Sequence, residues 1–363
     1  MTKVPPARVV RAATTVRTAL QSMTRRMIPA EVGLLELASG FTATQALYAA
    51  AKLSIADVLA GGPRSPGDVA AEVGADADAT HRLLRACASF GVFREDTDGR
   101  FVLTPLAQGL RSDLPHSVRS VILMLGDPGY QGPWGQLARS VETGTPSAET
   151  ALGEPMWAYL DSHPEFAATF NAAMTRLAAL DWPTVDAVYD FTPFPTIVDI
   201  GGGQGQLLAL MLRAAPSAKG VLFEREVLRG DAERHLREAG VLARSRIDAG
   251  SFFESAPSDG DLYVLRRVVH DYDDADAVAM LTTVRRHMPL GATLLLMESV
   301  VPPGNGPHFA KTLDLDMMLF VGGRERTERQ FTTLLDKAGF RPTRVIPTIS
   351  TISLIEAVPG RQS

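Results

Sequence analysis

Ile197–Val198–Asp199–Ile200–Gly201–Gly202–Gly203–Gln204–Gly205 joins an apolar, β-rich run to a glycine cluster, and an apolar helical pattern leaves it at Gln206. Glycines let the chain turn sharply from strand to helix and let backbone N–H groups approach a ligand closely. The stretch reads as a nucleotide cradle at the end of a parallel strand, with the Asp199 carboxylate placed to meet a cationic group. Its spacing is G-x-G-x-G, and Gln206 stands where the dinucleotide pattern G-x-G-x-x-G requires its last glycine. A pyrophosphate site is therefore disfavoured.

Nineteen residues past Gly205, the run Gly220–Val221–Leu222–Phe223 ends in Glu224. An acid at the tip of a second parallel strand can accept hydrogen bonds from both ribose hydroxyls of a nucleoside. The competing reading is a glycine-rich turn with an exposed strand-end charge. Beyond it, strands expected near 245–248, 261–265 and 291–297 alternate with helical stretches, and two more follow near 341–347 and 351–357. That alternation predicts an α/β, doubly wound sheet.

At 363 residues the chain suits two domains, and its 45% hydrophobic content supports real cores. The net charge of −5 offers no broad attraction for nucleic acid. Lys3, Arg8, Arg11, Arg17, Arg25 and Arg26 all precede the first acid, Glu31, so residues 1–30 form a basic arm. A solvated tail, a transit peptide or an acidic partner would each account for it. No segment reaches the roughly 20 apolar residues of a membrane span, so no membrane partner is expected. The single Cys87 excludes an internal disulfide and a multi-cysteine zinc site, which makes cytoplasmic residence the default.

From about Glu31 the pattern is helical, with Leu34, Leu35, Leu37, Ala38, Phe41, Ala46 and Leu47 forming an apolar face. Ser65-Pro66 opens a helix as N-cap and first residue, and Asp76 to Ser89 supplies another. Val92–Glu95 and Arg100–Leu103, joined by the turn Asp96 to Gly99, make a hairpin. Helices capped by a hairpin describe a winged helix. Its candidate recognition stretch, His81 to Arg85, is too thinly basic to argue for DNA. Residues 117 to 189 read as further helices rich in aromatics and methionine. Trp134, Trp157, Met174, Met318 and Phe320 are candidates to line a pocket for a flat apolar acceptor.

Near the third strand end, Asp248 or Ser251 can bond the amino group of a purine, and Phe252 can pack on its ring or join the core. The fourth strand runs through Arg266 to His270. Ligands of open α/β sheets bind at the carboxyl ends of strands, so His270 falls near the site with a pKa range suited to taking a proton. Asp273 or Asp274 caps the helix Ala275 to Met288 more readily than it binds a metal. Glu298 and Glu325 can each bond the second imidazole nitrogen and set the tautomer, although spacing alone makes both surface-prone acids. Thr327 fits an N-cap for Glu328 to Ala338, with Arg324 and Arg326 as ordinary loop charges.

Taken together, Val198–Asp199–Ile200–Gly201–Gly202–Gly203–Gln204–Gly205, Arg266 to Tyr272 with its His-Asp pair, and Gly322–Gly323–Arg324–Glu325–Arg326–Thr327 resemble the S-adenosylmethionine-dependent O-methyltransferases of the caffeate and hydroxyneurate-like class. Bacterial polyketide and phenazine enzymes fall in the same class. The resemblance covers most of the chain. It implies a mainly helical winged-helix dimerisation domain over 31–116, a helical linker and substrate-pocket region over 117–190, and a Rossmann-like catalytic domain over 191–363. It also implies a homodimer, S-adenosylmethionine as cofactor with S-adenosylhomocysteine as product, an aromatic small-molecule acceptor and no metal.

By the same resemblance, Gly201 and Gly203 hold the methionine end of the cofactor and Glu224 the ribose. Ser251 and Phe252 adjoin the adenine, and Arg266 lies beside the cofactor. His270 would be the general base between Glu298 and Glu325, with Asn171 and Met174 in the cavity. The chain departs from the pattern at Ser251, where Asp is usual, and at Arg266, where Lys is common and Arg is a bulkier planar fork. Methyl transfer to nitrogen, a hydroxylase that retains the cofactor, and a cofactor-sensing regulator stay open as alternatives.

Overall fold

The computed structural model describes residues 27–360 together with Val16, Leu20, Met23 and Thr24. The six basic side chains of the arm lie outside the described residues. The chain divides into two compact units. One includes Gln136–Ala158 and the chain from Leu177 onward; the other comprises the described residues from Leu20 to Gly135 and Tyr159–Arg176. The stretch 117–190 is thereby shared between them, and the helix Pro164–Asp186 passes from one to the other.

In the N-terminal unit, helices Pro66–Val73 and Ala77–Ser89 start on the expected caps: Ser65 Oγ accepts from the Asp68 amide and Asp76 Oδ1 from the Ala79 amide. Strands β1 (Phe93–Glu95) and β2 (Phe101–Leu103) pair antiparallel as the wing. Ile55, Leu59, Val69, Leu84, Phe93 and Phe101 form its core. The expected apolar face near the start behaves differently. It is broken at Ser39 into helices Ala30–Ala38 and Gly40–Lys52, and Leu34, Leu35, Leu37 and Phe41 are each 60–68% exposed on the single chain.

The other unit is built on a seven-stranded sheet of β3 (Thr196–Ile200), β4 (Lys219–Glu224), β5 (Ser245–Ala249), β6 (Leu262–Arg266), β7 (Thr293–Glu298), β8 (Phe340–Pro347) and β9 (Ser353–Pro359), in the order β5-β4-β3-β6-β7-β9-β8. The first five strands run parallel, and the β8–β9 hairpin adds antiparallel to β7. Period-two alternation sends Val198, Tyr263, Leu265, Leu294 and Leu296 into one core and Ile197, Leu262, Val264, Leu295 and Met297 into the other. Both faces are covered, so these strands read as nearly continuous apolar runs. The chain steps outward from β3 to β4 and β5, then returns to the far side of β3 at β6. That reversal opens a crevice beyond the carboxyl ends of β3 and β6, where ligands of such sheets bind.

Candidate active site

Four of the strand ends singled out in the sequence lie along the carboxyl edge of the sheet. Gly201 to Gly205 leave β3, Glu224 ends β4, Arg266 ends β6, and Glu298 ends β7. Gly203 sits at φ +58° with open space where a side chain would project, so a ligand can lie directly on its backbone. The Gly203 amide donates to Glu224 Oε2 at 2.9 Å, which fixes the acid over the glycine loop. Asp199 is buried, and neither of its carboxylate oxygens has a partner among the described residues. Burial and the nearby Glu224 push its pKa up to about 7. An orphaned acid beside an open glycine backbone and a strand-end glutamate fits a nucleoside that carries a cationic group.

Around the purine position the fit is partial. Phe252 is half-buried and packs near Gly201 and Tyr272, and Ser251 Oγ accepts from the Phe253 amide. Asp248 is engaged elsewhere: both its oxygens accept from Arg246 Nε at 2.9 Å. Arg266 Nη2 donates to Asp181 Oδ2 at 2.6 Å, and both side chains are largely buried. Burial holds the Arg266 pKa below its usual value. No sequence signal marked Asp181, which lies 85 residues away within a helix.

The histidine site assembles from three segments. His270 Nδ1 is 2.7 Å from Glu325 Oε1 and 3.9 Å from Glu298 Oε2, while Nε2 is 3.5 Å from Asp271 Oδ1. Glu298 and Glu325 are buried, which corrects their reading as surface-prone acids. Glu298 Oε1 accepts from the Val268 and Val269 amides, so the strand-end acid anchors the loop that carries the histidine. Burial raises Glu298, Asp271 to about 7 and Glu325 to about 8. The same cluster brings three ligand-type atoms within 4.8 Å of one another. The hydrogen bonds already described occupy one oxygen of each glutamate.

Arg326 also needs correction. It is fully buried rather than a loop charge, and it donates to Val269 O, Tyr272 O and Asp274 Oδ1 at 2.9–3.0 Å. Arg324 is exposed as expected, yet its amide donates to His270 O. Asp273 caps the helix Asp274–His287, and Thr327 with Gln330 forms a capping box on Glu328–Lys337.

The expected acceptor-pocket residues divide between the two units. Trp157, Met318 and Phe320 belong to the sheet unit, with Met318 and Phe320 on the helix Phe309–Phe320; Trp134, Asn171 and Met174 belong to the other. Trp182 is partly buried and packs against Phe191 at the sheet core.

A winged, mainly helical unit followed by a switch-point crevice with a glycine loop, a ribose-type acid and a carboxylate-held histidine defines a nucleoside-cofactor transferase. The chain belongs to the O-methyltransferase family: the O-methyltransferase domain matches residues 134–341 and the O-methyltransferase dimerisation domain residues 35–113. It is 41% identical to phenazine O-methyltransferase PhzM of Lysobacter antibioticus over 92% of this chain and 97% of that protein. It is 37% identical to 8-amino-8-demethylriboflavin N,N-dimethyltransferase of Streptomyces davaonensis over 85% of this chain and 90% of that one. Human N-acetylserotonin methyltransferase, solved with S-adenosylmethionine, superposes with a TM-score of 0.86 at 28% identity, over 92% of this chain and 99% of that chain. The protein is a methyltransferase of a family that uses S-adenosylmethionine.

Proposed function

We propose that the enzyme methylates a hydroxyl, a phenol, on an aromatic small molecule, with His270 as general base. The observation that carries this reading is the 2.7 Å contact between His270 Nδ1 and Glu325 in a buried setting. Burial raises the Glu325 pKa to about 8, so as pH rises through that value the ionised carboxylate holds the Nδ1 proton and Nε2, 3.5 Å from Asp271 Oδ1, presents a lone pair. A phenol of pKa about 10 is scarcely ionised at neutral pH, so removing its proton at Nε2 contributes about 10²- to 10⁴-fold. Bound S-adenosylmethionine supplies an electrophilic methyl group on a sulfonium. Gly201, Gly203, Glu224, Phe252 and Arg266 would hold it, and Asp199 would offer its free carboxylate to the cationic end.

An aromatic acceptor is supported by a relative from neocarzinostatin biosynthesis, solved with S-adenosylmethionine and 2-hydroxy-5-methyl naphthoic acid. A homodimer is supported by the dimerisation domain and by the apolar side chains that the single chain leaves exposed at Val32, Leu34, Leu35, Leu37 and Phe41. Transfer to nitrogen is the second reading, favoured by the riboflavin-type N,N-dimethyltransferase relative. The test is His270→Ala, assayed for methyl transfer to phenols and arylamines and for S-adenosylhomocysteine binding by calorimetry. Phenol turnover should fall by about 10²-fold or more with cofactor affinity retained. Equal loss of both would make His270 structural, and arylamine turnover indifferent to the substitution would favour nitrogen.

A further inference from the structure

Arg267 follows the last residue of β6 and precedes His270 by three positions. Its backbone is left-handed, with φ +52°, one of two such non-glycine residues among those described. A residue with a Cβ disfavours that conformation, and it concentrates at functional sites where surrounding structure enforces it. Here the Arg267 amide donates to Met297 O at 3.1 Å, which holds the turn.

The turn delivers a guanidinium with little to do inside the fold. Nη2 donates to Thr351 Oγ1 at 3.1 Å, and Cζ stands 5.9 Å from the centre of the Phe309 ring. Nε is buried with no partner, and Arg267 makes no ion pair within 4.0 Å among the described residues. Its neighbours differ: Arg266 is paired with Asp181, and Arg326 with Asp274. An arginine has five N–H donors in a planar fork, a shape that carboxylates match with two parallel bonds. Arg267 stands on the loop that carries the base, three residues before His270, and Glu298 Oε1 anchors that loop by accepting from the Val268 and Val269 amides.

We propose that Arg267 is a specificity-determining residue that binds an anionic group, an aryl carboxylate, on the aromatic acceptor. The fork would receive the carboxylate with Phe309 against one side of the guanidinium, while the acceptor's hydroxyl reaches His270 Nε2. This rests on the methyl-transfer reading.

The experiment is calorimetric titration of the full chain, saturated with S-adenosylhomocysteine, against matched pairs: 3-amino-4-hydroxybenzoate and its carboxamide, 1,4-dihydroxy-2-naphthoate and its carboxamide, and 2-hydroxy-1-naphthoate and its carboxamide. Wild type, Arg267→Gln and Arg267→Lys are compared. At least one carboxylate should bind wild type about tenfold or more tightly than its carboxamide. Arg267→Gln should erase that ratio and leave carboxamide and S-adenosylhomocysteine affinities unchanged, while Arg267→Lys keeps part of it. A wild type with no carboxylate preference in any pair overturns the proposal, and so does a variant that weakens both members equally. Failure of wild type to bind S-adenosylhomocysteine would instead overturn the methyl-transfer reading on which it rests.

Discussion

His270 Nδ1 lies 2.7 Å from Glu325 Oε1, and both side chains are buried. Once ionised, the carboxylate favours the tautomer that leaves Nε2 without a proton beside Asp271, whereas an amide in its place can donate to Nδ1 and reverse the tautomer. Glu325→Gln should therefore lower methyl-transfer kcat to phenols by about 10²- to 10⁴-fold, with S-adenosylhomocysteine affinity unchanged. The variant should melt no lower than wild type at pH 8.5, because burial disfavours the charged acid, whose pKa is raised to about 8. Turnover within threefold of wild type would remove Glu325 from the site's chemistry.

Asp199 links stability to pH. Its folded pKa, about 7, lies above its unfolded value near 4, so the folded state holds a proton that the unfolded state releases. The stability associated with that proton is complete below about pH 4 and is lost as pH rises through about 7. Asp199→Asn removes the titration. The unfolding free energy of the variant minus that of wild type should therefore rise by roughly 2–3 kcal/mol from pH 5 to pH 8, measured by urea unfolding without ligand. A flat difference would show that Asp199 titrates normally.

Gly323 admits no side chain. A Cβ there would stand 2.0 Å from the His270 carbonyl oxygen and 2.5 Å from the Asp271 carbonyl carbon, both backbone atoms. Gly323→Ala should destabilise the sheet unit by about 1–3 kcal/mol in chemical denaturation and displace the histidine loop. Turnover should drop further than the folded fraction does. Proportional losses would show that the loop adjusts without moving the base.

Asp181 supplies the carboxylate that neutralises Arg266 at 2.6 Å. Removing one partner leaves a largely buried charge unpaired, which costs about 3–5 kcal/mol in comparable pairs. Asp181→Ala should lower the melting temperature and weaken S-adenosylhomocysteine binding about tenfold. Asp181→Ala with Arg266→Met should recover stability without recovering affinity. Recovery of both would place Arg266 away from the cofactor.

The local chemistry was legible where it is sequential. Glycine spacing, strand-end acids and caps act within a few residues, so Gly201 to Gly205, Glu224, Asp273 and Thr327 could be placed from the chain alone. The exposed face at Leu34 to Phe41 was legible as apolar and helical, but its solvent exposure on the single chain was not. Burial was misread at Glu298, Glu325 and Arg326, because charge alone predicts the surface and only converging partners make an interior position tolerable.

The sequence by itself determined the alternating sheet, the crevice at its reversal, the glycine cradle and the candidacy of His270, since periodicity and turn chemistry are properties of neighbouring residues. Tertiary structure alone decided that Glu325, 55 residues away, meets His270, that Asp181, 85 residues away, meets Arg266, and that Arg267 forms no ion pair within 4.0 Å among the described residues. Those pairings depend on where strands and helices pack, and no local pattern encodes which distant charges a fold will bury together.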